Sequence, residues 1–163
     1  MKQDQNNIES HCYIGVKCIN AFPMNRQAYN NFRGWQLPEG ENGDDEGYLV
    51  EYFDGGKPNT DRCERYVSWS PKAVFEKAYR HVSGLSFGLA IEALKRGKKV
   101  ARSGWNGKGL WLEYRHSLGT VDLPYIQLMY PVPGDGSLPY PNGARVPWAP
   151  SQTDVLADDW KIV

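Results

Sequence analysis

The chain has 163 residues, a formal net charge of zero and 13% aromatic side chains. That length holds one domain with a real core, or a small domain with a substantial extension, and so balanced a charge argues against a nucleic-acid polymer or an anionic membrane as partner, while leaving room for a local basic pocket. Three cysteines, Cys12, Cys18 and Cys63, show no CxxC spacing, and no signal-like or membrane-length apolar run is visible, so structural thiols in a reducing cytosol are expected.

Residues 1–12 are polar, rich in Gln and Asn, and expected to form a flexible N-terminus. Tyr13 to Ile19 alternates well enough for a first strand. Asn25 is placed to cap a short helix from Arg26 to Phe32, with Tyr29 and Phe32 on one side and Gly34 as its stop. An acidic, glycine-punctuated loop separates it from a strand at Tyr48 to Tyr52, and Asp54-Gly55-Gly56 turns the chain. Tyr66 to Trp69 reads as another strand. Ser70 at the cap and Pro71 at the first helical position then open a helix with Val74, Phe75, Ala78 and Tyr79 on its apolar face. His81 to Gly84 is expected to join an N-terminal α+β module, residues 13–83, to a second domain, residues 84–163.

Beyond Gly84 the pattern sharpens. Ser86 precedes Phe87, Ala90, Ile91 and Leu94 at helical spacing, and Gly97 ends that helix. Val100 to Arg102 is a short strand, Asn106-Gly107 a strong reversal signal, and Leu110 to Tyr114 the strand that leaves it. A further strand is expected at Val121 to Tyr130, followed by a Pro-, Gly- and Tyr-rich loop from Pro131 to about Ala144, of a length that is functional or mobile. Val146 to Trp148 is extended, Thr153 is placed to cap a single helical turn through Ala157, and Trp160 to Val163 closes as a strand. The fold class expected is α+β, with small antiparallel sheets each carrying a packed helix.

Candidate chemistry is sparse. The chain has only His11, His81 and His116 as imidazole bases, each in a terminus, joint or turn, so no Ser-His-Asp set is expected. Asp44, Asp45 and Glu46 are consecutive in a loop and read as a solvated acidic tip. The cysteines lack the spacing of a zinc site, and no metal or cofactor is expected. Gly104, Gly107 and Gly109 run into a strand rather than a helix, which argues against a nucleotide-triphosphate loop, although Arg102 and Lys108 make the hairpin a fair place for one or two phosphates. Trp105 and Trp148 are either lids on a small core or stacking faces for a purine. Trp111 and Trp160 lie in strand-like runs and are expected to pack in the core. Asp154 is either part of a helix cap or an acceptor for a ribose or an adenine amino group.

The stretch from Leu85 to Asn106, then Gly109-Leu110-Trp111-Leu112, and finally Val146-Pro147-Trp148-Ala149-Pro150-Ser151-Gln152-Thr153-Asp154-Val155-Leu156-Ala157-Asp158-Asp159-Trp160 resembles a phage family. That family was long catalogued as a domain of unknown function and is associated with the second type of Thoeris anti-defence protein. One departure is Ala149-Pro150 where the family usually has Leu-Ala. The first half, through Phe32-Arg33-Gly34-Trp35, Asp45-Glu46-Gly47-Tyr48-Leu49-Val50-Glu51-Tyr52 and Trp69-Ser70-Pro71, resembles a module preceding this domain in some phage and prophage proteins. The resemblance implies a sponge that sequesters cyclic ADP-ribose isomers made by the TIR-domain enzyme of Thoeris defence, without cleaving them, as a homotetramer in the cytoplasm of the infected host. Cyclic oligonucleotides of the related CBASS systems are the alternative ligand, and a phage structural or host-interaction protein the alternative class. The ligand-binding set this implies combines Arg102, Lys108 and Arg145 with Trp105, Trp148 and Tyr125, and with Asn106, Gln152, Thr153 and Asp154.

Overall fold

A computed structural model describes residues 12–106, 109–117, 123–131 and 143–163. The expected flexible terminus therefore lies outside the described residues except for Cys12, as do the Gly107 half of the reversal, Lys108, Val121-Asp122 and most of the Pro131–Ala144 loop. The chain divides into two compact units, one ending at Phe75 and the other spanning Glu76–Val163. Small antiparallel sheets with helices make both α+β.

The first unit is a three-stranded antiparallel meander, β1 (Ile19–Pro23), β2 (Gly47–Tyr52) and β3 (Val67–Pro71), with α1 (Arg26–Arg33) inserted between β1 and β2. Both ends of α1 follow from its sequence: the Asn25 side chain accepts from Ala28 N at 2.8 Å, and Gly34 adopts φ 70° to close the C-terminus. Phe22, Leu49 and Trp69 lie in register across the sheet. Buried Tyr29 from α1 meets Leu49 and Val67, with Phe32, Cys63 and Trp69 packed around them. The first strand begins at Ile19 rather than Tyr13. Its pairing with β2 runs from Ile19 opposite Tyr52 to Pro23 opposite Tyr48, so residues 13–18 lie outside the strand register, and Ile14 is fully exposed. Ser70 and Pro71 likewise belong to β3, paired with Tyr48 and Gly47, so the next helix, α2 (Lys72–Ala78), starts one residue beyond the expected proline. Its apolar face is not a core face: no residue of α2 is buried, and Phe75 stacks on Tyr48 at 4.1 Å.

The second unit is a five-stranded antiparallel sheet in the order β7-β6-β5-β4-β8, with α3 (Phe87–Lys95) on one face. The strands are β4 (Val100–Arg102), β5 (Trp111–Arg115), β6 (Tyr125–Met129), β7 (Arg145–Pro147) and β8 (Trp160–Ile162); α4 (Gln152–Val155) links β7 to β8. Strand alternation sends Val100, Leu112 and Trp160 toward α3, where they meet Leu85, Ala90 and Leu94. Burial of these side chains, each contributing roughly 1.5–3 kcal/mol for the larger ones, is the main support of the unit. Gly97, at φ 75°, ends α3 as expected, its amide donating to Leu94 O at 2.9 Å. Leu85 exchanges both backbone hydrogen bonds with Trp160, and Val82, in the stretch expected as a joint, accepts from Ile162 N. These bonds fasten β8 to the entrance of α3.

The cap of α4 differs from expectation. Ser151, not Thr153, is the N-cap, and Ser151 with Asp154 forms a reciprocal capping box. The short Ser-x-x-Asp spacing offers two hydrogen bonds where a Thr153 cap offers one, and the helix ends at Val155 rather than Ala157.

Candidate functional site

β4 delivers Arg102 to the end of the sheet opposite Trp160, with which it is in register. The guanidinium is shared between two carboxylates: Nη1 donates to Asp154 Oδ1 at 2.9 Å and Nε to Asp159 Oδ1 at 2.8 Å. Asp154 Oδ1 also accepts from Trp105 Nε1 at 3.2 Å, while its Oδ2 takes the Ser151 amide at 3.0 Å and hydroxyl at 2.7 Å. The Asp154 backbone carbonyl accepts from Trp160 Nε1 at 3.0 Å. Burial alone would raise the Asp154 pKa, but donors from Ser151, Arg102 and Trp105 outweigh it and bring the value down to about 2. Hydrogen bonding to Arg102 likewise lowers Asp159, and the two carboxylates raise Arg102, Asp159 more than Asp154.

Above this network stands an aromatic cluster. Fully buried Trp160 is met by Trp105 at 5.5 Å, Phe87 at 5.6 Å and Trp148 at 5.9 Å between ring centroids, and Trp105 and Trp148 are 6.2 Å apart. Both half-buried indoles are thus partly core and partly surface. On their outer side they wall an open concavity of about 260 Å³, whose remaining lining is Asn106, Leu110 and Leu128.

Of the residues anticipated from sequence, Trp105, Trp148 and Asn106 come together at this concavity, and Arg102 and Asp154 meet in the ion-paired frame beside it. Gln152 and Thr153 are exposed on the first turn of α4, the Thr153 hydroxyl 2.8 Å from that of Ser151. Tyr125 and Arg145 are exposed and belong to the opposite face of the sheet, because they alternate with Leu128, Ile126 and Val146 along β6 and β7. Trp111 also lies on that face rather than in the core, with Nε1 donating to Glu113 at 2.9 Å and the Lys99 ammonium 4.9 Å above its ring. The Trp111 hydrogen bond is the main cause of the lowered Glu113 pKa. Lys108 lies outside the described residues. Sequence reading missed Leu110, Leu128, Ser151 and Asp159. The leucines carry no chemical signal, but Ser-x-x-Asp was a legible capping box.

No group of three His, Cys, Asp or Glu able to hold a metal occurs among the described residues. A histidine–serine pair, His81 Nδ1 and Ser83 Oγ at 2.7 Å, is a local turn in which the Ser83 amide also points at the imidazole. No helix among the described residues is long and apolar enough to cross a membrane.

The fold and site define an α+β domain with a tryptophan-walled recess braced by an Arg–Asp frame. Residues 85–163, containing all of these parts, match the Thoeris anti-defense 2-like domain. Thoeris anti-defense 2 of Bacillus phage SP01 is 43% identical over 86 residues, an alignment covering 48% of this chain and 94% of that relative. The chain belongs to the Thoeris anti-defense 2 family, and so to the phage anti-defence proteins, through its second unit.

Proposed function

We propose that the protein is a sponge that binds cyclic ADP-ribose-type messengers of Thoeris defence in the cytoplasm of the infected host and holds them without cleaving them. The observation that supports this best is the open recess lined by Trp105, Trp148, Asn106, Leu110 and Leu128, which offers indole surface against which a planar purine can pack. One stacked base contributes roughly 1–3 kcal/mol. Competition with a receptor calls for nanomolar affinity, about 12 kcal/mol, so stacking needs polar partners and near-complete burial. Asn106, Lys108, Gln152 and Thr153 are the proposed source of polar and cationic contacts to ribose and phosphate, and Tyr125 and Arg145, on the opposite face of the sheet, are proposed to reach a ligand only from a second copy. Arg102 and Asp154 contribute chiefly as the frame, since each is already engaged by the other. At about 260 Å³ the recess is smaller than the ~300–1,000 Å³ of typical small-molecule sites. A homotetramer in which a second copy covers its open side is therefore part of the proposal.

The test is to incubate the purified protein with cyclic ADP-ribose isomers, remove the excess, and heat it. Intact messenger in the supernatant supports a sponge, altered messenger makes the protein an enzyme, and no uptake rejects the reading. Uptake of cyclic oligonucleotides instead moves the ligand to the CBASS class. Trp148→Ala is expected to weaken capture at least ~tenfold, equivalent to ~1.4 kcal/mol.

A further inference from the structure

We infer that Asp159 is a positioning residue for the Trp105 wall of the recess. The ligand half of this inference rests on the sponge reading; the positioning half does not. Asp159 meets each of the three residues that lead into Trp105. Its Oδ1 accepts from Arg102 Nε at 2.8 Å, its backbone carbonyl from Ser103 N at 3.1 Å, and its Oδ2 from Gly104 N at 2.7 Å. Arg102 in turn holds Asp154, whose Oδ1 takes the Trp105 indole N–H at 3.2 Å. The indole is therefore fixed at both ends, by Asp159 through the backbone and by Asp159–Arg102–Asp154 through the ring nitrogen.

The approach is close. A Cβ on Gly104 would come within 2.9 Å of Asp159 Oδ2, so the glycine leaves room for the carboxylate. A carboxylate is the group that fits, because both of its oxygens face donors and both hydrogen bonds are strengthened by charge. An asparagine has one acceptor oxygen, so its amide NH₂ would oppose either Arg102 Nε or Gly104 N. The Asp159 side chain is 36% exposed and belongs to no buried hydrophobic cluster, so its replacement leaves the Leu112–Trp160 core intact.

The experiment compares the full chain with Asp159→Asn, Trp105→Ala and the double variant. Hydrogen exchange of the Trp105 indole N–H is followed by NMR in wild type and Asp159→Asn, and affinity for cyclic ADP-ribose isomers is measured in all four proteins. Asp159→Asn is expected to accelerate indole exchange and to weaken binding about tenfold, with little further loss when Trp105 is already alanine. Unchanged indole exchange in a folded Asp159→Asn protein overturns the inference, as does a full additional loss of affinity in the Trp105→Ala background. If wild type captures no messenger, the sponge reading fails, and the exchange comparison alone still decides whether Asp159 positions Trp105.

Discussion

Asp154 is where cap, ion pair and recess meet: the carboxylate that completes the Ser151 capping box also pairs with Arg102 and receives the Trp105 indole N–H. Because its pKa falls from 3.8 to about 2 on folding, the ionised form is favoured by the native state. The resulting stability, about 2 kcal/mol, is fully present above the ordinary carboxylate range and is lost as pH falls from near 4 toward 2. Asp159, also lowered, acts in the same direction. Urea denaturation across that interval should show wild type weakening steeply, whereas Asp154→Asn should be less stable at neutral pH and show a shallower acid slope. Equal slopes would mean that Asp154 titrates alike in the folded and unfolded chain. The sequence left this residue divided between cap and ligand acceptor; the structure uses it as a cap whose spare acceptor capacity serves Arg102 and Trp105.

Among the elements, β2 shows how a strand boundary is decided by a neighbour. Gly47 opens it, and a Cβ there would lie 2.4 Å from Trp69 Cζ2 and 2.6 Å from Ser70 O. The contact places Trp69 so that its Nε1 donates to Met24 O at 2.8 Å, closing the sheet over the entrance to α1. Gly47→Ala has to displace both an indole and a backbone carbonyl, and a loss of ~1–3 kcal/mol in stability is expected. Chemical denaturation of the full chain, read by far-ultraviolet circular dichroism, checks this; a variant as stable as wild type would show that β3 shifts freely. The element boundaries that sequence placed well, the two ends of α1 and the glycine stop of α3, rest on hydrogen bonds within a few residues. Two that it misplaced, the start of β1 and the β3–α2 switch, depend on a partner strand's length and register, which no local pattern contains, whereas the misplaced α4 cap was written locally in Ser-x-x-Asp.

At the scale of the whole molecule, the relative in Bacillus phage SP01 is almost entirely accounted for by the region shared with this chain, 94% of its length. The recess, its frame and the α3 core all lie within Glu76–Val163. A fragment with those bounds is therefore expected to fold cooperatively and to take up messenger as tightly as the full chain, measured by calorimetric titration. Loss of uptake in a folded fragment would assign part of the site to the first unit.

The sequence by itself determined the α+β class, both ends of α1 and the glycine stop of α3, the alternation of the sheet strands and, through two long motifs, the family, because each is written in short-range spacing or in residue identity. Only the tertiary structure decided what the charged and aromatic side chains do. Arg102 pairs with carboxylates 52 and 57 residues away, Trp111 faces Glu113 rather than the core, and Trp105 is shared between Trp160 and the recess. A guanidinium or an indole has several satisfactory partners, and the one it takes is set by which distant groups the fold brings within hydrogen-bonding or van der Waals reach.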